Sequence, residues 1–186
     1  SQFYGQMPDN FTIAVNGNHP IVINILDQVE KSYGDRLLFG DISLGLGEGD
    51  RIGIVVFAGE SFTQSPLTTD KSSLLNLMGQ IKSGVIEDGT AIGNGLATAL
   101  NRLKESDAES KVVILLTDGV NNSGQIAPLT AAEIATTLGI KVYTIGVGTE
   151  GMAPYPAIDM WGNTVYQKMK VEIDEKTLTE IAGTTN

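Results

Sequence analysis

The sequence predicts an α/β protein built on a doubly wound, mostly parallel sheet with helices on both faces. Continuous apolar runs of strand length, rich in β-branched residues, recur as "RIGIVVFA" (51–58), "KVVILLT" (111–117) and "KVYTIGVG" (141–148). Runs without alternation suit strands buried on both faces. Segments of helical periodicity separate them, and strand–helix alternation implies crossover connections between parallel strands.

Taken in order, "FTIAV" (11–15) reads as a strand and "PIVINILDQVEKSYG" (20–34) as a helix with Pro20 at its first position. "DRLLFGDISLGLGEG" follows without strong periodicity. After the strand at 51–58, "DKSSLLNLMGQIK" (70–82) predicts a helix capped by Asp70, with Leu74, Leu75, Leu77, Met78 and Ile81 on one face. "TAIGNGLATALNRLKE" (90–105) spaces Ile92, Leu96, Ala99, Leu100 and Leu103 for a second helix. "LTAAEIATTLG" (129–139) predicts a third, with Thr130 as cap, Glu133 completing a capping box and Gly139 as terminator. Residues 149–171 break the rhythm. Two prolines, then short runs around Gly162-Asn163, predict a loop and a β-hairpin inserted in the fold. "DEKTLTEIAG" (174–183) begins a last helix capped by Asp174.

A chain of 186 residues suits one domain, 1–186, within which residues 1–49 agree least with the rest. The net charge of −10, with 12 Lys and Arg, argues against nucleic acid and suits a cation or a basic partner. The absence of cysteine excludes disulfides and thiolate chemistry, and one histidine, His19, cannot build a multi-imidazole zinc site. No apolar run of about 20 residues spans a membrane, and "SQFYGQMPDN" lacks the basic start and apolar core of a signal peptide.

Ligands in a doubly wound sheet sit at the carboxyl ends of strands, where the strand order reverses. "LLTDGVNNSG" puts Thr117 and Asp118 at such an end, and "EDGTAIG" puts Thr90 at a loop-to-helix junction. Asp118 reads either as a cation ligand or as a turn residue before Gly119; Thr90 reads as a ligand or as a helix cap. Tyr155, Trp161 and Tyr166 in the hairpin are amphipathic aromatics of the kind enriched at interfaces, and equally suit a lid packed on its own domain.

"DRIGIVVFAGESFTQSPLTTD", "IEDGTAIGNGLATALNRLKES", "KVVILLTDGVNNSGQIAPLTAAEIA" and "GIKVYTIGVGTEGMAPYP" together resemble the von Willebrand factor A domain, and within it the Bat proteins of bacterial aerotolerance operons. The resemblance covers Gly49 to about Ala182. It implies a non-enzymatic protein-interaction domain with a metal-ion-dependent adhesion site, holding Mg²⁺ or Mn²⁺ in an oxygen shell that a partner's Asp or Glu completes. The family's Thr and third-loop Asp map onto Thr90 and Asp118. It further implies a bacterial protein anchored in the membrane by flanking helices, with this domain periplasmic and other Bat-type proteins among its partners.

The family's first ligand loop, Asp-x-Ser-x-Ser, follows its first strand. Asp41-Ile-Ser43-Leu-Gly45 falls one serine short and lies too close to Arg51 for the crossover helix that parallel strands need. With "FTIAV" as the first strand the lengths work. Asn16 then stands at the Asp position, Asn18 at the first Ser and Pro20 at the second, a degenerate set of neutral ligands. "FYGQMPDNFTIAVNGNHPIV" has a short likeness to the C-terminal dimerisation region of Bacteroidetes Hsp90-class chaperones, so residues 1 to about 37 read either as native or as foreign. Two further classes stay open: a metal-dependent phosphohydrolase using Asp118, and a purely structural module without metal.

Overall fold

The computed structural model describes residues 10–16, 50–81, 86–117, 119–146, 151–158, 164–171 and 174–185. Its main sheet has five strands: β1 (Asn10–Asn16), β2 (Arg51–Phe57), β3 (Ser61–Thr68), β4 (Lys111–Thr117) and β5 (Lys141–Gly146), in the order β3-β2-β1-β4-β5. Parallel pairing joins β1 to both β2 and β4, and β4 to β5, while β3 runs antiparallel to β2 at one edge. The predicted fold class is therefore the observed one.

Strand parity explains the apolar runs. Val55, Phe57, Val113 and Leu115 enter one core with Ile92, Leu96, Leu100, Leu103 and Ile181, whereas Ile52, Ile54, Val56, Val112, Ile114 and Leu116 enter a second core with Leu74. Because successive strand residues point to opposite faces, only a strand covered on both sides can bury every position.

Helix α1 (Lys71–Met78) covers the second core, and α2 (Ile92–Leu103), α3 (Pro128–Thr137) and α4 (Glu175–Thr185) belong to the first. The five apolar positions named in α2 are all buried. Asp70 caps α1 by accepting from the Ser73 amide at 3.0 Å, and Asp174 does the same for Thr177 at 3.1 Å. Three expectations need correction. Gly79 ends α1 before Ile81; Leu74 is buried and Met78 and Ile81 pack partly buried on the same core, but Leu75 is 43% exposed. The N-cap of α3 is Ala127, not Thr130, because Pro128 takes the first helical position, where its missing N–H costs nothing. The N-cap of α2 is Ala91, which removes that role from Thr90. Gly139, at φ +64°, follows α3 as predicted.

Strands β6 (Gly151–Ile158) and β7 (Thr164–Val171) pair antiparallel as the predicted hairpin and form a separate two-stranded sheet. Sequence reading missed β3. "SFTQSPLT" is polar and contains Pro66, a pattern tolerated on an edge strand and unreadable without its partner β2. The expected helix at 20–34, and Asp41 with Ser43, lie outside the described residues.

Candidate functional site

The chain leaves β1 toward β2 and β3, then returns across the sheet to β4 on the other side. The order thus reverses between β1 and β4, and their carboxyl ends border a crevice. Asn16 pairs with Phe57, and Val15 with Leu116, so Asn16 and Thr117 end at the same level of the sheet. Asp118 and Asn18 lie outside the described residues.

Loops 58–60, 86–91 and 119–127 meet above this edge. The Gly59 amide donates to the Glu87 carbonyl at 2.9 Å, and the Ala91 amide to the Ala58 carbonyl at 2.7 Å. The Thr90 amide donates to Asn122 Oδ1 at 2.8 Å, and the Asn122 amide returns a bond to the Thr90 carbonyl at 3.0 Å. Asn121 Oδ1 accepts from the Ile92 amide at 2.9 Å and so satisfies an orphan donor of α2 from a different loop. Asn94 on α2 fixes the other end of that loop, its Oδ1 accepting from the Gln125 and Ile126 amides at 3.1 and 3.0 Å. Three asparagines thereby lock the loop after β4 to the loop and helix that carry Thr90. Asn94, Asn121 and Asn122 were not singled out by sequence reading; the "NNSG" run looks like an ordinary turn.

Thr90 is 8% exposed, and a Cβ added at Gly119 would lie 2.7 Å from its Oγ1. The hydroxyl therefore packs against the residue that follows Asp118, and a larger side chain there would have to displace it. Glu60, Glu87 and Asp88 are exposed on the first two loops and make the rim acidic. Thr90 is thus brought against Gly119, the residue after Asp118 in the chain. The structure carries Asn16 to the same edge but does not describe its side chain. Tyr155 and Tyr166 occupy β6 and β7, directly beside one another's neighbours in register, Tyr155 opposite Gln167 and Tyr166 opposite Pro156. Trp161 lies outside the described residues.

The donor types test the fit of a metal. A hydroxyl, a carboxylate at 118 and carboxamides are all hard oxygen donors, the kind that Mg²⁺ and Mn²⁺ take. The set fits in kind, and the first loop expected from the sequence, Asn16 and Asn18, would add neutral carboxamide donors. Among the described residues no group of three or more His, Asp or Glu could hold a cation.

Asn122→Ala would leave the Thr90 amide unpaired and is expected to destabilise the protein by about 1 kcal/mol. The Thr90 amide should exchange hydrogen several-fold faster, and Asn122→Asp, which keeps the acceptor, should restore protection.

The molecule is thus a doubly wound α/β domain whose crevice is made by loops clamped together at the sheet's switch point. It belongs to the von Willebrand factor type A domain family, whose sequence model matches residues 37–186; β1 precedes that span. A UPF0353 protein of Nocardia farcinica is 32% identical over 182 residues, covering 88% of this chain and 49% of that protein. The structure of the conserved hypothetical protein BatB from Bacteroides thetaiotaomicron is similar at a TM-score of 0.73 and 27% identity, covering 95% of this chain and 86% of that one. Proximal thread matrix protein 1 of the mussel byssus, with a zinc-occupied MIDAS motif, is similar at a TM-score of 0.61 and 25% identity, covering 75% of this chain and 36% of that one. The chain spans about a third and about half the length of the two curated relatives it matches.

Proposed function

We propose that this chain is the non-enzymatic protein-interaction domain of a membrane-anchored, Bat-like bacterial protein, facing the periplasm and binding another protein at the carboxyl ends of β1 and β4. The observation that carries this reading is the contact of Thr90 with Gly119, which brings the hydroxyl loop against the Asp118 loop at the switch point. Support for one domain over residues 1–186 comes from β1, which lies between β2 and β4 rather than at an edge. No helix among the described residues is long and apolar enough to cross a membrane.

In this reading Thr90, Asp118, Asn16 and Asn18 hold Mg²⁺ or Mn²⁺, and a partner's carboxylate, from another Bat-type protein, completes the shell. Electrostatics makes the cation necessary for such a partner. An acidic rim on a chain of net charge −10 repels a carboxylate unless a divalent ion stands between them. With one carboxylate in the shell, affinity for the free ion is weak, on the order of 1 mM. Tyr155, Trp161 and Tyr166 add contact area from the hairpin.

Mn²⁺ titration followed by paramagnetic broadening tests the site. The amides of Thr90, Thr117 and Gly119 should broaden first, and Asp118→Ala should abolish the effect. Uniform broadening, or unchanged broadening in Asp118→Ala, would refute metal binding there. A partner that still binds in EDTA would favour a metal-free module, and phosphoester turnover lost in Asp118→Ala would favour a phosphohydrolase.

A further inference from the structure

A second surface lies at the sheet edge opposite β5 and meets the loop-end clamp at Asn94 and Ile126. The start of β3 and the outer side of α2 border an open groove of about 550 Å³, whose lining includes Ser61, Phe62, Thr63, Asn94, Thr98 and Arg102. Ser61 Oγ donates to the Asn94 carbonyl at 3.2 Å and lies 2.8 Å from Thr98 Oγ1, so this face of β3 is turned toward α2. Residues two apart share a face of a strand and adjacent residues do not. Since Phe62 lines the groove together with Ser61 and Thr63, the groove opens onto the strand's edge rather than onto one face.

That edge is the end of the sheet, and no described strand pairs with it. An unpaired strand edge offers a row of backbone donors and acceptors to any extended chain. Pro66 has no N–H to offer, which limits the usable edge to Ser61–Ser65. Thr63 Oγ1 is buried and makes no hydrogen bond among the described residues, although buried hydroxyls ordinarily find partners. Phe62, 40% exposed, supplies apolar surface.

Charge selects the occupant. Neither β3 ("SFTQSPLT") nor α2 ("IGNGLATALNRL") contains an acid, and Arg102 is exposed with no ion pair among the described residues. Arg102 is therefore the one charged side chain among the groove's described lining residues, in a chain of net charge −10. A polyanion would be repelled by the rest of the surface, whereas a single carboxylate beside Arg102 feels mainly the near charge, because distant charges are screened beyond about 10 Å at ordinary salt.

We infer that this groove is a strand-addition site for an extended partner segment carrying one acidic side chain, its backbone on the Ser61–Ser65 edge and its carboxylate at Arg102. The site shares no proposed metal ligand with the loop-end crevice, so it is tested in EDTA and can stand or fall independently.

The probes are capped six-residue Thr/Val peptides with one glutamate moved along the sequence, and the matching glutamine peptides, titrated into the ¹⁵N-labelled chain. Amide shifts should concentrate at 61–65 and along α2, and the best glutamate peptide should bind at least fivefold more tightly than its glutamine counterpart. Arg102→Gln should erase that difference. Shifts absent at millimolar peptide, shifts centred elsewhere, or equal binding of the glutamate and glutamine peptides would overturn the inference.

Discussion

Gly93→Ala is expected to lower the stability of this protein by about 2 kcal/mol or more, although alanine is the better helix former by about 1 kcal/mol. A Cβ at position 93 would lie 1.9 Å from the Ile126 carbonyl oxygen and 2.9 Å from the Ala127 carbonyl carbon. Both are backbone atoms, so no rotamer change relieves the overlap. Either α2 shifts on the sheet, or the end of the 119–127 loop moves away together with the start of α3. The second response also strains the Asn94 bonds to Gln125 and Ile126. Thermal denaturation should show a fall of about 5 °C or more, and amide shifts should spread from residue 126 toward Gly119. An unchanged melting temperature would mean that the loop is not clamped as described.

Phe57→Ala is expected to cost about 3–5 kcal/mol, the usual range for deleting a buried aromatic ring. Phe57 is fully buried at the end of β2, and its ring lies against α2 where Gly95 has no side chain. A Cβ at position 95 would be 2.7 Å from the ring, so Gly95→Ala should also destabilise the natural protein. Combined, the two changes should be far less than additive, because the alanine methyl at 95 occupies space the ring vacates. Urea unfolding of the four variants measures the coupling, expected at about 1–2 kcal/mol. Additive losses would show that ring and glycine do not form one packing unit. Phe57 is level with Asn16 in the adjacent strand, so the loss removes support beneath the crevice itself.

Much of this was legible in the chain. The unbroken apolar runs at 51–57 and 111–117 required strands covered on both faces, and Val55/Phe57 against Ile54/Val56 divide between two cores accordingly. The spacing of Ile92 through Leu103, the hairpin strands and the Asp70 and Asp174 caps follow from neighbours within a few residues. The cap reading of Thr90 was not decidable from sequence, because a cap and a ligand use the same hydroxyl in the same sequence context; the structure gives the N-cap to Ala91.

Residues far apart in sequence decided the rest. Asn121 takes the Ile92 amide, and Asn122 the Thr90 amide, from about thirty residues away, so the start of α2 does not depend on Thr90 as its cap. Strand β3 exists because β2 supplies its hydrogen bonds, not because "SFTQSPLT" favours extension. Periodicity and capping are local properties of the chain, and the amino-acid sequence by itself determined the layered α/β class and the two buried faces of the sheet strands. Strand order and the meeting of three loops depend on pairings about 30 to 100 residues apart, which only the closed sheet creates, while β3 is set by pairing with β2 at separations of 4 to 16 residues. The placement of β1 between β2 and β4 is the decisive case: it turns three separate strand ends into one crevice.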